Sequence, residues 1–503
     1  MLFEQKLLSL WPNKQIVMKK SLVVGRKREI ALLKECYKSA KSEFVVVYGR
    51  RRIGKTFIVN ESLSKNFVFH VTGIFGQPRA EQIKNFHTAM QKWFDADLLA
   101  KCGAKKCPKD WMETFNLLER LLTATPKPKR CKKVVFFDEL PWMDSQRSGF
   151  ISALEHFWNH YAAWTHDIIL VVCGSAASWI VDKVINNRGG LHNRLTRLIH
   201  LQPFSLAETE QFLKSKGFRW NRYDIAQCYM TMGGIPYYLD NIPLDAISFP
   251  RAIDQMFFSQ DGMLKEEYNM LYKSLFTNSN VYEAIVEQLA KKKMGMALSE
   301  LSDTSKILWG GHLTEYLENL ERCGFIRKYN AYGNKKKGTI YQLTDLYTLF
   351  YLQFVKDNVS TDGAYWQTMI DSPGRRAWAG YAFEILCLSH IEQLRDALGF
   401  SSVNCSVSAW KTYPTEEHDG AQIDLVIDRR DQIVNLCEMK FSTAKYAIDA
   451  KYEEELRNKI SAFKAETKTN SALHLTMVTT YGVKQNTHSG IVASQVVLDD
   501  LFT

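Results

Sequence analysis

The stretch Phe44-Val45-Val46-Val47-Tyr48-Gly49-Arg50-Arg51-Arg52-Ile53-Gly54-Lys55-Thr56 decides the fold. Its first five residues are apolar or aromatic with no polar alternation, as expected of a strand buried on both faces. The next eight fit the pattern G-x-x-x-x-G-K-S/T, and a helical pattern starting with Phe57 leaves it. Glycines at positions 49 and 54 let the backbone turn so that consecutive N–H groups face one anion. The following helix adds the positive end of its dipole. Lys55 is placed to reach the β- and γ-phosphates of a nucleotide, and the Thr56 hydroxyl to ligate Mg²⁺.

Working outward, similar apolar runs occur at Phe67–Val71, Val134–Phe137, Ile168–Cys173 and Leu198–Leu201, separated by helical patterns such as Phe150–Tyr161 and Ala207–Lys216. Strand–helix alternation predicts an α/β domain, a parallel sheet with helices on both faces, over residues 20–245. The third run ends in Asp138-Glu139. An acid there completes a nucleotide site: Asp138 to hold Mg²⁺, directly or through water, and Glu139 to polarise the attacking water as general base. The KCGAKKCPKD and TPKPKRCKK stretches read as solvated basic loops.

These residues resemble prokaryotic P-loop ATPases of the AAA+/STAND type, relatives of the origin-recognition ATPases. Val24-Gly25-Arg26 with Glu29 resembles the family's V-G-R-x-x-E box beside the adenine. Ser175, after the fourth buried strand, stands where the family places a γ-phosphate sensor. Leu191-His192-Asn193-Arg194 matches the L-Y-G-R kind of loop, which makes Arg194 the match for an arginine finger, with Arg188 and Arg197 as rivals. Gly233-Gly234-Ile235-Pro236 resembles the G-G-x-P box that couples nucleotide state to the next domain. The resemblance implies ATP and Mg²⁺ as cofactors and a nucleotide-binding set of Gly25, Arg26, Gly49, Arg52, Ile53, Gly54, Lys55, Thr56, Phe57 and Pro236. An arginine working in trans requires a homo-oligomer, whereas a STAND-type switch rests as a monomer; the sequence leaves both open.

Residues 245–265 lose the alternation and read as a connection. Over 265–355 the design changes to helices at Val281–Lys291, Ala297–Ser302 and Gly311–Cys323, then two apolar runs around a turn carrying Lys335, Lys336 and Lys337. Three helices and a basic-tipped hairpin make a winged-helix pattern. Glu315 and Glu318 on the third helix repel phosphate, so the lysine tip is the better candidate to meet a DNA backbone, with salt-dependent and sequence-blind affinity. The aromatic helix Leu346–Val355 is expected to pack this unit on its neighbours.

Residues 370–503 begin with a predicted helix, Arg375–Ala397, followed by strands at Gln422–Ile427, Ile433–Lys440 and Leu475–Thr480 and a charged helix at Ile448–Lys464. Asp424 lies inside an apolar strand, and Glu438 and Lys440 share one face of the next. Burying acids on a strand is costly without a compensating cation, and two carboxylates suit Mg²⁺. The metal could activate water, with Lys440 orienting it. The arrangement resembles a small α/β domain of the PD-(D/E)XK restriction-endonuclease-like type, with the helix acid at Glu384, the strand acid at Asp424 and the E-x-K at Glu438 and Lys440. On that resemblance these four are catalytic and Asp424 and Glu438 hold the metal.

The chain has 503 residues, 46% hydrophobic and 24% charged, which excludes disordered, collagen-like and coiled-coil classes. Its net charge of +11 permits an anionic partner. Ten cysteines without a C-x-x-C pair read as reduced thiols rather than a disulfide scaffold or zinc knuckle. No apolar run reaches the ~20 residues of a membrane span, and the expectation is a cytoplasmic protein without a membrane partner. The combined reading is an ATP-driven switch controlling a DNA-directed, Mg²⁺-dependent nuclease-like domain. The alternative is a nucleotide-gated DNA- or protein-binding module whose nuclease-like domain does not cut.

Overall fold

The computed structural model describes residues 23–503 except 127–131, 146, 176, 188, 277, 305–311, 334–338, 359–362 and 417. The lysine tip at Lys335–Lys337, Arg188 and most of the 127–133 basic run therefore lie outside the described residues.

The first module is built on five parallel strands: β1 (Glu43–Tyr48), β2 (Phe67–Thr72), β3 (Lys133–Asp138), β4 (Ile168–Gly174) and β5 (Arg197–His200), in the spatial order β2-β3-β4-β1-β5. Strand β1 lies between β4 and β5, with Val45 opposite both Val171 and Arg197. The two-residue period of the strand divides its side chains between two cores. Val45 and Val47 pack with Ile58 and Val59 of helix Lys55–Leu63. Phe44 and Val46 pack on the other face with Phe86 and Leu118, from helices Arg79–Trp93 and Trp111–Ala124. Each such side chain contributes roughly 1.5–3 kcal/mol on full burial, enough to fix the strand at the sheet's centre. Because the strands are parallel, the chain leaves β1 at Gly49 and β3 at Asp138 on the same sheet edge.

The connection over residues 245–265 is helical in part. It forms helix Phe249–Ile253 and a wider turn, Asp254–Phe258, with Phe249, Ile253, Phe257 and Phe258 buried. The apolar residues recur every three to four positions, which is a helical face too short to stand out from sequence. Asp254 accepts hydrogen bonds from the Trp366 and Gln367 N–H groups, at 2.6 and 3.2 Å, and from Gln367 Nε2 at 2.9 Å. In the KCGAKKCPKD region the helix Ala96–Lys101 carries its first lysine.

The second module has helices Ser279–Ala290, Leu298–Thr304 and Leu313–Arg322. Its antiparallel sheet comprises β6 (Met296–Ala297), β7 (Ile326–Asn330) and β8 (Thr339–Leu343) in the order β6-β8-β7. Helix Leu346–Phe350, capped by Asp345 and continued to Val355 by a wider turn, inserts aromatic rings between modules. Tyr347 lies 5.0 Å from Tyr238 and Phe350 lies 5.0 Å from Trp366.

The third module's helix Pro373–Ser389 ends at His390, and a separate helix Ile391–Ala397 follows, so the single helix expected over Arg375–Ala397 is broken. The break has a cause: His390 is buried, its Nε2 accepts the Leu206 N–H at 3.0 Å, and its Nδ1 lies 2.8 Å from the Leu386 carbonyl. The mixed sheet contains β9 (Cys405–Thr412), β10 (Ala421–Arg429), β11 (Ile433–Lys440), β12 (Ala472–Thr479) and β13 (Ser494–Val497), ordered β13-β12-β11-β10-β9. β9, β10 and β11 are antiparallel neighbours, whereas β12 and β13 run parallel to β11. The long crossover helix spans Ala450–Thr467 and is capped by Asp449, which leaves Ile448, its expected start, buried in front of it. The Tyr332 N–H donates to Ala409 O at 3.0 Å, fastening the second module against β9.

Candidate nucleotide site and carboxylate cluster

The turn after β1 needs left-handed backbone at Gly49 (φ 140°), Arg52 (φ 71°) and Gly54 (φ 88°). A side chain at Gly49 would run into the Leu201 carbonyl, so glycine is dictated by contact as well as by φ. Lys55 Nζ donates to the carbonyls of Gly49 at 3.1 Å and Arg50 at 2.8 Å. Burial pushes the Lys55 ammonium below its ordinary range, opposed by Glu139.

Thr56 Oγ1 donates to Asp138 Oδ2 at 2.9 Å, and the Glu139 N–H to Asp138 Oδ1 at 3.0 Å. Burial raises the Asp138 carboxyl to about 6, with Glu139 adding to the shift and the Thr56 hydrogen bond opposing it. Glu139 itself sits at φ 46°, uncommon for a residue with a side chain. Its carboxylate is gripped by Ser175, through Oγ at 2.6 Å and N–H at 3.1 Å. Ser175 therefore orients Glu139.

These groups open onto a cavity of about 860 Å³ whose lining includes Arg26, Arg52, Ile53, Gly54, Lys55, Thr56, Phe57, Glu139, Ser175 and Pro236. The volume suits a nucleotide-sized ligand. Gly25 (φ 66°) sits behind the wall, where a side chain would strike Glu208. Glu208 accepts the Arg26 N–H at 2.9 Å and closes a capping box with Ser205. Tyr237, next to Pro236 in the G-G-x-P box, lines the cavity, as do residues missed from sequence: Phe204, Phe212, Lys216 and Asp240. The S-x-x-E pattern at Ser205–Glu208 was the available signal for that wall. Arg26 stacks on Phe204 at 4.8 Å.

Pro236 opens helix Pro236–Asp240, and the Tyr237 N–H donates to the Arg52 carbonyl at 3.3 Å. Arg194 is exposed and does not line the cavity. Arg197 pairs with Glu35 at 2.9 Å. The structure therefore brings neither described arginine candidate to the phosphate loop of its own chain.

In the third module Leu425 pairs with Cys437, so the next residues, Asp424 and Glu438, lie at the end of the same ladder, close enough for their charges to act on each other. Glu438 is 1% exposed. Its carboxylate is bonded by Lys459 Nζ at 2.6 Å and by the Tyr452 hydroxyl at 3.2 Å. Lys440 Nζ lies 4.9 Å from the Tyr452 ring centre. Glu384 is close enough to the group that burial first, and Asp424 next, hold its carboxyl well above the usual range, with Lys293 and Lys440 opposing. The four expected residues thus share one neighbourhood. Yet no group of three His, Cys, Asp or Glu side chains among the described residues could hold a metal ion. At Glu438 the compensating cation is Lys459. Sequence reading missed it, although Tyr452 and Lys459 lie two turns apart on one helix face.

Residues 23–242 match the family model described as an ATPase domain predominantly from Archaea. An uncharacterized protein of Methanocaldococcus jannaschii is 24% identical over 431 residues, covering 84% of this chain and 88% of that protein. Among solved structures, the Walker-type ATPase of Pyrococcus abyssi aligns with TM-score 0.48 and 17% identity, covering 66% of this chain and 96% of that one. The Aeropyrum pernix ORC2 protein, solved in ADPNP-ADP complexes, aligns with TM-score 0.37 and 15% identity, covering 66% and 93%. No described helix is long and apolar enough to cross a membrane. The parallel sheet and the loop from Gly49 to Thr56 are those of a P-loop nucleotide-binding fold, and residues 23–242 are similar to the archaeal-type ATPase domain.

Proposed function

We propose that the chain is an ATP-binding, ATP-hydrolysing switch, cytoplasmic, whose nucleotide state controls a DNA-directed, nuclease-like C-terminal domain. The observation that carries the reading is the phosphate loop: Lys55 at the loop's hub, and Thr56 hydrogen-bonded to Asp138 at 2.9 Å. Two oxygen donors at that distance, one of them a carboxylate, fit Mg²⁺. The ion would supply charge neutralisation at the phosphates. The chain's own residues do the rest. The loop N–H groups and Lys55 orient the phosphates, and Glu139, aimed by Ser175, takes the proton from the attacking water.

Support for the second module as a winged helix comes from its helix–strand–helix–helix–strand–strand order. Support for a restriction-endonuclease-like third module comes from the helix followed by β9-β10-β11, a crossover helix and parallel β12, with Glu384, Asp424, Glu438 and Lys440 gathered together. DNA as partner fits the net charge of +11, and an exposed Arg194 fits an oligomer in which it meets a neighbouring copy's nucleotide. No catalytic step through a metal is assigned in the third module, because its three acids do not group around one ion.

The Lys459–Glu438 pair specifically favours a second reading, a nucleotide-gated DNA- or protein-binding module that does not cut. Two assays decide. Lys55→Ala should abolish ATP turnover, and unchanged turnover refutes the nucleotide site. Asp424→Ala and Glu438→Ala should abolish DNA cleavage in Mg²⁺ or Mn²⁺ with ATP; cleavage that survives both refutes the assigned cluster, and a wild type that never cuts leaves the binding-module reading.

A further inference from the structure

The phosphate loop is braced by carboxylates from outside the ATPase domain. Arg50 is 6% exposed and Asp345, the residue capping helix Leu346–Phe350, is 1% exposed in its side chain. Their charges meet through both Arg50 Nη atoms, with Nη2 to Oδ2 at 3.1 Å. Asp345 also accepts the Thr348 N–H at 3.1 Å and its hydroxyl at 2.5 Å, so its position is set by the second module. The Arg50 carbonyl in turn accepts Lys55 Nζ at 2.8 Å, which makes the chain of contacts Asp345–Arg50–Lys55 continuous.

A second chain of contacts runs beside it. Arg52, on the cavity wall, pairs with Glu267 through Nε at 2.5 Å and Nη2 at 2.6 Å. Glu267 begins helix Glu267–Leu275 and also accepts the Tyr238 hydroxyl at 3.1 Å. Arg52 lies over the Tyr237 ring at 4.0 Å. It thus carries left-handed backbone, a ring and a carboxylate at once, an over-determined side chain that packing alone does not require.

We propose that Asp345 and Glu267 are positioning residues for nucleotide binding. They act through Arg50 and Arg52 to set the curvature of the phosphate loop, so that nucleotide affinity depends on where the second module sits. Linkage then runs both ways: whatever shifts the module changes nucleotide affinity, and nucleotide changes the module's position by the same factor. The inference rests on the loop being the nucleotide site, which Lys55→Ala tests separately.

The experiment uses the full chain and a fluorescent ATP analogue with Mg²⁺. Glu267→Gln, which keeps the size of the side chain and removes its charge, should raise the ATP dissociation constant roughly fivefold or more, the usual scale of a coupling between sites. Turnover at saturation should change less, and the conservative Glu267→Asp should restore most of the affinity. Binding by Glu267→Gln within twofold of wild type overturns the proposal. Should the variant fail to fold, the unaltered protein answers: ATP should slow backbone hydrogen exchange across 264–275 and 343–350, and no change there overturns the proposal even if Lys55 proves essential for binding.

Discussion

Arg50 in the phosphate loop and Asp345 at the head of an interdomain helix form a buried ion pair across 295 positions of sequence. A pair so enclosed is weak evidence for stability as such, because the attraction only offsets what desolvation costs. Removing one partner is different. Asp345→Ala should destabilise the chain by about 3–5 kcal/mol, since Arg50 would be left buried and uncompensated. The double replacement Arg50→Met with Asp345→Leu should recover most of that loss. Urea unfolding of the single and double variants measures both.

Ser175 offers a sharper test of the hydrolytic machinery. If it aims Glu139, Ser175→Ala should leave ATP affinity within about threefold while lowering turnover about tenfold, a part of the 10²–10⁴ that a general base contributes. Steady-state turnover beside equilibrium binding separates the two quantities. An equal loss in both would make Ser175 a ligand contact.

Acid should act through His70. This residue on β2 stacks on Phe136 at 4.8 Å, and burial, with Lys92 adding to it, depresses the imidazole to about 4. The unfolded chain takes up its proton near 6.5, so between 6.5 and 4 the unfolded state binds more protons and stability falls as pH falls. The fall from this group has a limiting slope of about 1.4 kcal/mol per pH unit. His70→Phe should remove it: the melting temperatures of variant and wild type should diverge from pH 6.5 to 4.5 and run parallel above 7.

The Lys459–Glu438 pair joins a buried carboxylate to a half-buried ammonium. Lys459→Met should destabilise the third module by about 3–5 kcal/mol at neutral pH, because Glu438 would lose its cation. Added Mg²⁺ should then raise the melting temperature of Lys459→Met more than that of wild type, if the carboxylates accept a metal once the ammonium is gone. Thermal melts with and without the ion check both statements.

Much of the first module was legible because its information is local. The five apolar runs are strands within a residue or two of expectation; β1, β3 and β4 are buried almost throughout, as an unbroken apolar run implies, whereas β2 and β5 at the sheet edges are buried only in part. The loop from Gly49 to Thr56 was legible because its backbone demands glycine at fixed offsets. Other features depend on contacts that no local pattern encodes. β9 escaped because an edge strand, with Ser406 and Val407 exposed, carries little burial to read. The break at His390 arises from the Leu206 N–H, 184 positions away. Lys459 looked like one more charge on a solvated helix, and only the packing of helix Ala450–Thr467 against the sheet brings it to Glu438. Arg50 reads from sequence only as part of the loop and Arg52 only as a nucleotide contact; the carboxylates that hold them come from positions 345 and 267.

In the proposed function, ATP acting at Lys55 governs what the C-terminal domain does to DNA. That control is tested most directly by DNA binding and cleavage on linear, circular and branched substrates, with ATP, with ADP and without nucleotide, for wild type, Lys55→Ala and Glu438→Ala. Wild-type action on DNA should change with the nucleotide, Lys55→Ala should lose this dependence, and Glu438→Ala should alter the DNA step while ATP turnover persists. DNA binding and cleavage identical in every nucleotide condition, or unaffected by Lys55→Ala, would contradict the proposed control.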